Sequence, residues 1–107
     1  MAEHYKLTCD KTEINAVYAD AKGKLARISL TYDKVISITF EKCWERKLFK
    51  KIESERITLR IKGRMDPIYY YKLKEGEFYE SYKRDFEKFA KENRLTFYNN
   101  LDKEPQD

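Results

Sequence analysis

Apolar and polar residues alternate along most of the first two thirds of the chain. A period of two is typical of β-strands that bury one face. Short segments rich in Asp, Lys and Gly separate the alternating segments and are typical of turns. The pattern predicts six or seven short strands in succession, and the clearest apolar sets run from Tyr5 to Cys9, Ile14 to Tyr18, Ala26 to Tyr32, Ile36 to Phe40, Ile57 to Ile61 and Ile68 to Leu73.

The hydrophobic period changes after the last of these predicted strands. Apolar residues recur at helical spacing through residues 77–93, which predicts an amphipathic helix with a buried aromatic stripe. Acidic residues near its start and basic residues near its end suit the helix dipole, and Asn93 is the predicted C-cap. We expect Leu95 to Tyr98 to pack back as a short extended piece, and residues 99–107 to form a frayed C-terminal tail.

Strands in succession followed by one helix favour an antiparallel architecture. We predict an α+β fold, mostly β, in which six or seven strands form a partly open antiparallel barrel or a sandwich. The C-terminal amphipathic helix closes it, because its aromatic stripe must be buried against the sheet. Residues 1–98 are expected to form a single domain, in keeping with the chain length of 107 residues.

Several stretches resemble the pleckstrin-homology-like superfamily, in particular its small bacterial members. YKLTCDKTEI (residues 5–14) resembles the opening strand and turn, and ISLTYDKVISITFEK (28–42) resembles a strand that leads through a Tyr-Asp-Lys turn into the next. RITLRIKG (56–63) and IYYYKL (68–73) resemble later strands, and EFYESYKRDFEKFAKEN (77–93) resembles the closing helix. The resemblance implies a binding or scaffold module rather than an enzyme.

The residue inventory also argues against catalysis. The single histidine, His4, has no partner that spacing identifies, and the three glycines are scattered rather than gathered in a phosphate-binding loop. The chain has no His/Cys cluster with metal-ligand spacing. Cys9 and Cys43 are interpreted as reduced, partly buried thiols, although a disulfide between them stays open. We therefore expect a non-enzymatic protein that needs no cofactor and no metal.

The sequence carries no sign of membrane insertion or export. No apolar run approaches the roughly 20 residues that a membrane-spanning helix needs. The first ten residues, MAEHYKLTCD, lack the apolar segment of a secretory signal. These observations lead us to expect a cytoplasmic protein.

Positive charge is concentrated in the middle of the chain. The whole chain has a net charge of +4, whereas residues 41–64 contain 9 basic and 4 acidic residues, a net charge of +5. If two strands pair here, Arg60 and Lys62 are expected to line up with Lys47 or Lys42. Trp44 and Phe49 would then lie beside the charge. The candidate contact residues are Lys42, Trp44, Arg46, Lys47, Lys50, Lys51, Arg60 and Lys62.

The sequence leaves two interpretations of this basic hairpin open. It is either a contact surface or a solvated, lysine-rich edge that prevents sheets from aggregating. As a contact surface it suits, first, a protein partner or a second copy of the chain and, second, anionic lipid head groups. Weak nucleic-acid binding comes third and is disfavoured, because Glu41, Glu45, Glu53 and Glu55 dilute the positive charge.

Overall fold

The computed structural model describes residues 7–19 and 22–106, which include seven strands and two α-helices. The strands are β1 (Leu7–Cys9), β2 (Glu13–Ala19), β3 (Leu25–Thr31), β4 (Val35–Lys47), β5 (Lys50–Ile61), β6 (Ile68–Tyr71) and β7 (Thr96–Asn100). The helices are α1 (Lys72–Glu75) and α2 (Tyr79–Glu92), and short 3-10 turns lie at Tyr32–Lys34 and Gly76–Phe78. The predicted α+β class with mostly strands is confirmed. The sequence interpretations of His4, Tyr5 and Asp20 lie outside the described residues.

The strands lie in two sheets. The first is an antiparallel meander in the order β1-β2-β3, and the second has the order β6-β5-β4-β7. Within the described residues, the two sheets are not closed into a barrel. The physical reason is that β7 occupies the edge of β4 with which β3 would have to pair to continue the meander.

Strand β7 is the extended piece that the sequence predicts after the helix. It pairs with β4 in parallel, with Ser37 opposite Thr96 and Glu41 opposite Asn100. The structure differs from the prediction of a tail that frays from residue 99, because β7 includes Asn99 and Asn100. Farther along, Gln106 lies beside β4, where its N–H donates to Lys42 O (2.7 Å) and its carbonyl oxygen accepts from Trp44 N–H (3.3 Å).

Helix α2 carries the predicted aromatic stripe, and the stripe is buried. Its buried residues are Tyr79, Tyr82, Phe86, Phe89 and Ala90. They belong to one core with apolar residues of both sheets, such as Ile14 of β2 and Phe40 of β4. The predicted C-cap, Asn93, is confirmed. Arg94 follows at φ 54°, and Leu95 N–H donates to Ala90 O (2.9 Å), a hydrogen bond that turns the chain into β7.

Candidate functional site

The β4–β5 hairpin extends beyond the strands that flank it. The two strands pair without a break from Ser37–Arg60 to Lys47–Lys50. However, β7 pairs only with residues 37–41 of β4, and β6 only with residues 56–59 of β5. On the β4 side, Gln106 opposite Cys43 is the last neighbouring segment. Residues 44–53 therefore form a two-stranded ribbon without flanking strands in the described part of the chain; we call it the free arm.

The turn at the tip of the free arm holds two exposed apolar side chains. Leu48 and Phe49 both have positive φ angles (51° and 69°), as in the two-residue turns for which Asn-Gly is the preferred sequence. A left-handed conformation costs a residue with a side chain about 1–2 kcal/mol. The side chains are 83% and 100% exposed. Leucine and phenylalanine at these two positions therefore stabilise neither the turn conformation nor the hydrophobic core.

Four cations surround this apolar tip. Arg46 is opposite Lys51 and Lys47 is opposite Lys50, and all four residues are exposed. Because side chains alternate along a strand, the first pair lies on one face of the arm and the second pair on the other. Residues 46–51 contain no carboxylate. The tip therefore presents positive charge on both faces around two apolar side chains.

The base of the free arm is less basic than its tip. Trp44 is 42% exposed and lies opposite Glu53, and the half-buried Lys42 lies opposite Glu55. The carboxylate of Glu45 accepts a hydrogen bond from Leu73 N–H (3.3 Å), which ties the arm to α1. The structure thus brings Arg46, Lys47, Lys50 and Lys51 together at the tip and places Lys42 and Trp44 at the base, among carboxylates.

Two of the candidate contact residues lie elsewhere. Arg60 is opposite Ser37, ten residue pairs from the Lys47–Lys50 pair, and Lys62 N–H donates to Lys34 O (2.9 Å). At about 3.4 Å per residue, this places Arg60 roughly 34 Å from the tip. The expected alignment of Arg60 and Lys62 with Lys47 or Lys42 is therefore wrong. The physical reason is that the turn falls at Leu48–Phe49, which makes the hairpin much longer than its basic part.

Arg56 is a basic residue of the same stretch whose charge is neutralised. It is buried and forms an ion pair with Glu41 (Nε to Oε2, 2.5 Å), which also accepts a hydrogen bond from Thr58 Oγ1 (3.0 Å). Its guanidinium group lies 4.5 Å from the centroid of the Tyr69 ring. Arg56 therefore stabilises the sheet next to the arm and is not available to a partner.

Both thiols are free, and Cys43 is buried whereas Cys9 is partly buried. Burial, together with the negative charges of Asp85 and Asp10, raises the pKa of Cys9 to about 12. Burial and the nearby Glu45 raise the pKa of Cys43 to about 11. Both side chains are thus protonated at neutral pH and poor nucleophiles. Within the described residues, no group of three His, Cys, Asp or Glu side chains could hold a metal ion.

No protein-family model matches the chain, and neither a curated protein nor a solved structure matches it. The resemblance to the pleckstrin-homology-like superfamily stays a prediction. In the described part of the chain, no helix has the length and apolar character needed to cross a bilayer.

Leu48 is the residue of the tip that sequence reasoning missed. The signal is present as RKLFKK, in which two apolar residues have two cations on either side. The sequence does not show that these apolar residues form the turn. In a continuous strand, one of them would face the core.

Proposed function

We propose that this protein is a non-enzymatic binding module that docks reversibly on anionic lipid surfaces through the tip of its free arm. The observation that carries the proposal is the exposed Leu48–Phe49 turn between Arg46-Lys47 and Lys50-Lys51. An apolar tip suits the region below the lipid head groups, and the cations around it suit anionic phosphates.

The expected contributions to the binding free energy are those of weak peripheral membrane binding. Full burial of a Leu or Phe side chain contributes about 1.5–3 kcal/mol, and a cation near an anionic membrane contributes about 1 kcal/mol. The loss of translational and rotational freedom offsets much of this sum. Binding should therefore be reversible. It should also be sensitive to salt, because exposed charges are screened over about 10 Å at 0.1 M ionic strength.

The geometry favours lipid over the protein partner and the nucleic acid that the sequence also allows. A specific protein interface usually buries at least about 1,200 Å² in total, whereas the tip offers two apolar side chains on a narrow ribbon. A nucleic-acid groove needs cations along one track, whereas Arg46–Lys51 and Lys47–Lys50 lie on opposite faces. An end-on approach to a membrane brings both pairs to the head groups at once.

Vesicle sedimentation tests the proposal. The wild-type chain should sediment with vesicles of phosphatidylcholine mixed with phosphatidylserine, much less with phosphatidylcholine alone, and less as salt is raised. The variant Leu48→Ser/Phe49→Ser should lose most of this binding because it removes the apolar tip. Met65→Ser is the matched control, since Met65 is 95% exposed in the β5–β6 loop at the other end of β5.

A second pair of variants separates local charge from net charge. Lys47→Glu/Lys50→Glu reverses two cations at the tip, and Lys34→Glu/Lys62→Glu reverses two exposed cations at the base of the hairpin. Only the first should lose binding, although both change the net charge equally. If the two variants bind alike, or if the wild-type chain does not distinguish the two kinds of vesicle, lipid docking is wrong. The nucleic-acid alternative is favoured if the wild-type chain shifts single-stranded nucleic acid in a gel but does not bind vesicles, and if Phe49→Ser loses the shift.

A further inference from the structure

The outer edge of β5 in the free arm has backbone groups without a partner in the described part of the chain. Trp44 N–H and Lys42 O point away from β5, because both bond to Gln106. The backbone N–H and C=O groups of even-numbered β4 residues therefore point away from β5, and those of odd-numbered β4 residues bond to β5. The odd-numbered β4 residues lie opposite even-numbered β5 residues, whose backbone groups thus point toward β4. Lys51 and Glu53 consequently point their N–H and C=O groups to the outer edge, beyond the end of β6.

The length of this open edge is limited by α1. Tyr71 is opposite Arg56, so Lys72 follows next to Glu55, and a cleft of about 310 Å³ lies between α1 and the arm, lined by Glu53, Glu55, Lys72 and Leu73, among others. The open edge thus contains Lys51 and Glu53. An antiparallel strand added there would form four backbone hydrogen bonds, two with each of these residues.

The charges on this edge complement a second copy of the same edge. Lys51 and Glu53 are two residues apart and project to the same face of the arm. When two such edges pair antiparallel about a two-fold axis at Ile52, Lys51 of each copy lies opposite Glu53 of the other. One ion pair then lies on each side of the axis, and the two Ile52 side chains meet on the axis.

We propose that two copies of the chain pair through the outer edges of β5, with Lys51 opposite Glu53 of the second copy and Ile52 on the two-fold axis, and that this pairing covers the lipid-binding tip. Beyond Lys51, the turn that contains Phe49 then approaches the end of the other copy's open edge, where α1 carries Leu73, whose apolar side chain is exposed. The masking of the tip rests on the proposed lipid docking, whereas the pairing itself does not.

The pairing has the properties of a reversible dimer. Two arms of this size bury less than the roughly 1,200 Å² of stable specific interfaces, so the dimer should depend on concentration. Its ion pairs are exposed and should weaken in high salt. We therefore expect a monomer–dimer equilibrium that shifts toward the monomer when the protein is diluted or the salt concentration is raised.

A charge-exchange series measured by sedimentation velocity tests the pairing. Lys51→Glu brings two carboxylates together at each pair, and Glu53→Lys brings two ammonium groups together, so each variant should be monomeric. The combined variant Lys51→Glu/Glu53→Lys restores opposite charges in reversed order and should dimerise again. Lys62→Glu is the control for net charge and should dimerise like the wild type. A wild-type chain that stays monomeric at every concentration, or a combined variant no better than the single ones, overturns the pairing.

Cross-linking tests the position of the axis. Directly opposite residues of a pair that is not hydrogen-bonded have Cα atoms about 4.5 Å apart, which a disulfide can bridge. With oxidised glutathione, Ile52→Cys should form a covalent dimer at least tenfold faster than Met65→Cys, although Met65 is far more exposed. Equal rates would place the axis elsewhere and overturn the register.

Vesicles separate the masking from the lipid docking. Phosphatidylserine-containing vesicles should slow the cross-linking of Ile52→Cys, because a membrane-bound tip is not free to pair, whereas vesicles of phosphatidylcholine alone should not. If the anionic vesicles bind the protein but leave the cross-linking rate unchanged, masking is wrong. If the anionic vesicles do not bind even the monomeric Glu53→Lys variant, lipid docking is wrong. The charge-exchange series still tests the pairing in that case.

Discussion

At the scale of single residues, burial decides the chemistry of Cys9 and Cys43. The sequence favours reduced thiols but leaves a disulfide between them open. In the structure both are free, and the pKa of each is raised well above the ordinary value of 9.0. The protonated thiols stabilise the fold below pH 9, and this contribution is lost as the pH rises toward about 11 for Cys43 and about 12 for Cys9.

We expect both thiols to react slowly with iodoacetamide in the folded protein at pH 8. The thiolate fraction should fall roughly a hundredfold for Cys43 and a thousandfold for Cys9 relative to a thiol of ordinary pKa. Mass spectrometry of alkylated peptides measures both rates, with the urea-unfolded chain as the reference. Labelling of either cysteine in the native protein at the rate of the unfolded chain would contradict the burial described above.

At the scale of elements, the β4–β5 hairpin shows a conflict between local conformational preference and composition. Its two-residue turn has the geometry that Asn-Gly favours, and yet it contains Leu48 and Phe49. Arg94, which follows α2, is another residue at positive φ where glycine is the usual choice. These positions allow stability and binding to be separated by experiment.

The variant Leu48→Asn/Phe49→Gly should be more stable than the wild type and bind vesicles less. We expect the free energy of unfolding to rise by about 1–2 kcal/mol, because the new residues suit positive φ. Vesicle binding should fall, because the apolar tip is gone. Urea denaturation and sedimentation measure the two effects.

Arg94→Gly is the control for this experiment. It should also stabilise the protein, by about 1 kcal/mol, because glycine avoids the cost of a left-handed conformation. Vesicle binding should stay at the wild-type level because Arg94 is remote from the arm. The account of the turn is wrong if Leu48→Asn/Phe49→Gly is destabilised or if it binds vesicles as tightly as the wild type.

At the scale of the whole molecule, α2 joins the two sheets through one core. Its aromatic stripe packs with apolar residues of the first sheet, such as Ile14 and Leu30, and of the second, such as Phe40 and Ile57. Tyr70 of β6 also donates a hydrogen bond to Val17 O of β2 (3.3 Å). Because both sheets depend on the same core, we expect them to unfold together.

Phe86→Ala tests this shared core. It should reduce the free energy of unfolding by about 3–5 kcal/mol, because it leaves a cavity where a fully buried ring stood. Far-UV circular dichroism and tyrosine fluorescence should report a single transition at the same urea concentration. Lys88→Ala, on the exposed face of α2, should change stability by less than about 0.5 kcal/mol. Two separate transitions in the wild type would show that the sheets do not form one cooperative unit.

The sequence by itself determined the elements whose pattern is local. The period of two specifies most strands, the helical period specifies the buried face of α2, and Asn93 marks where that helix ends, because each depends on neighbouring side chains and backbone geometry. The basic residues on both sides of Leu48 and Phe49 are likewise visible in the sequence.

Only the tertiary structure decided which strands pair. The parallel pairing of β7 with β4 brings together segments far apart in the chain, and no local signal specifies it. Neither does the sequence reveal that flanking strands stop short of residues 44–53, or that Arg60 lies at the far end of the hairpin. Register and strand order follow from burial of one shared core, which is a property of the assembled chain.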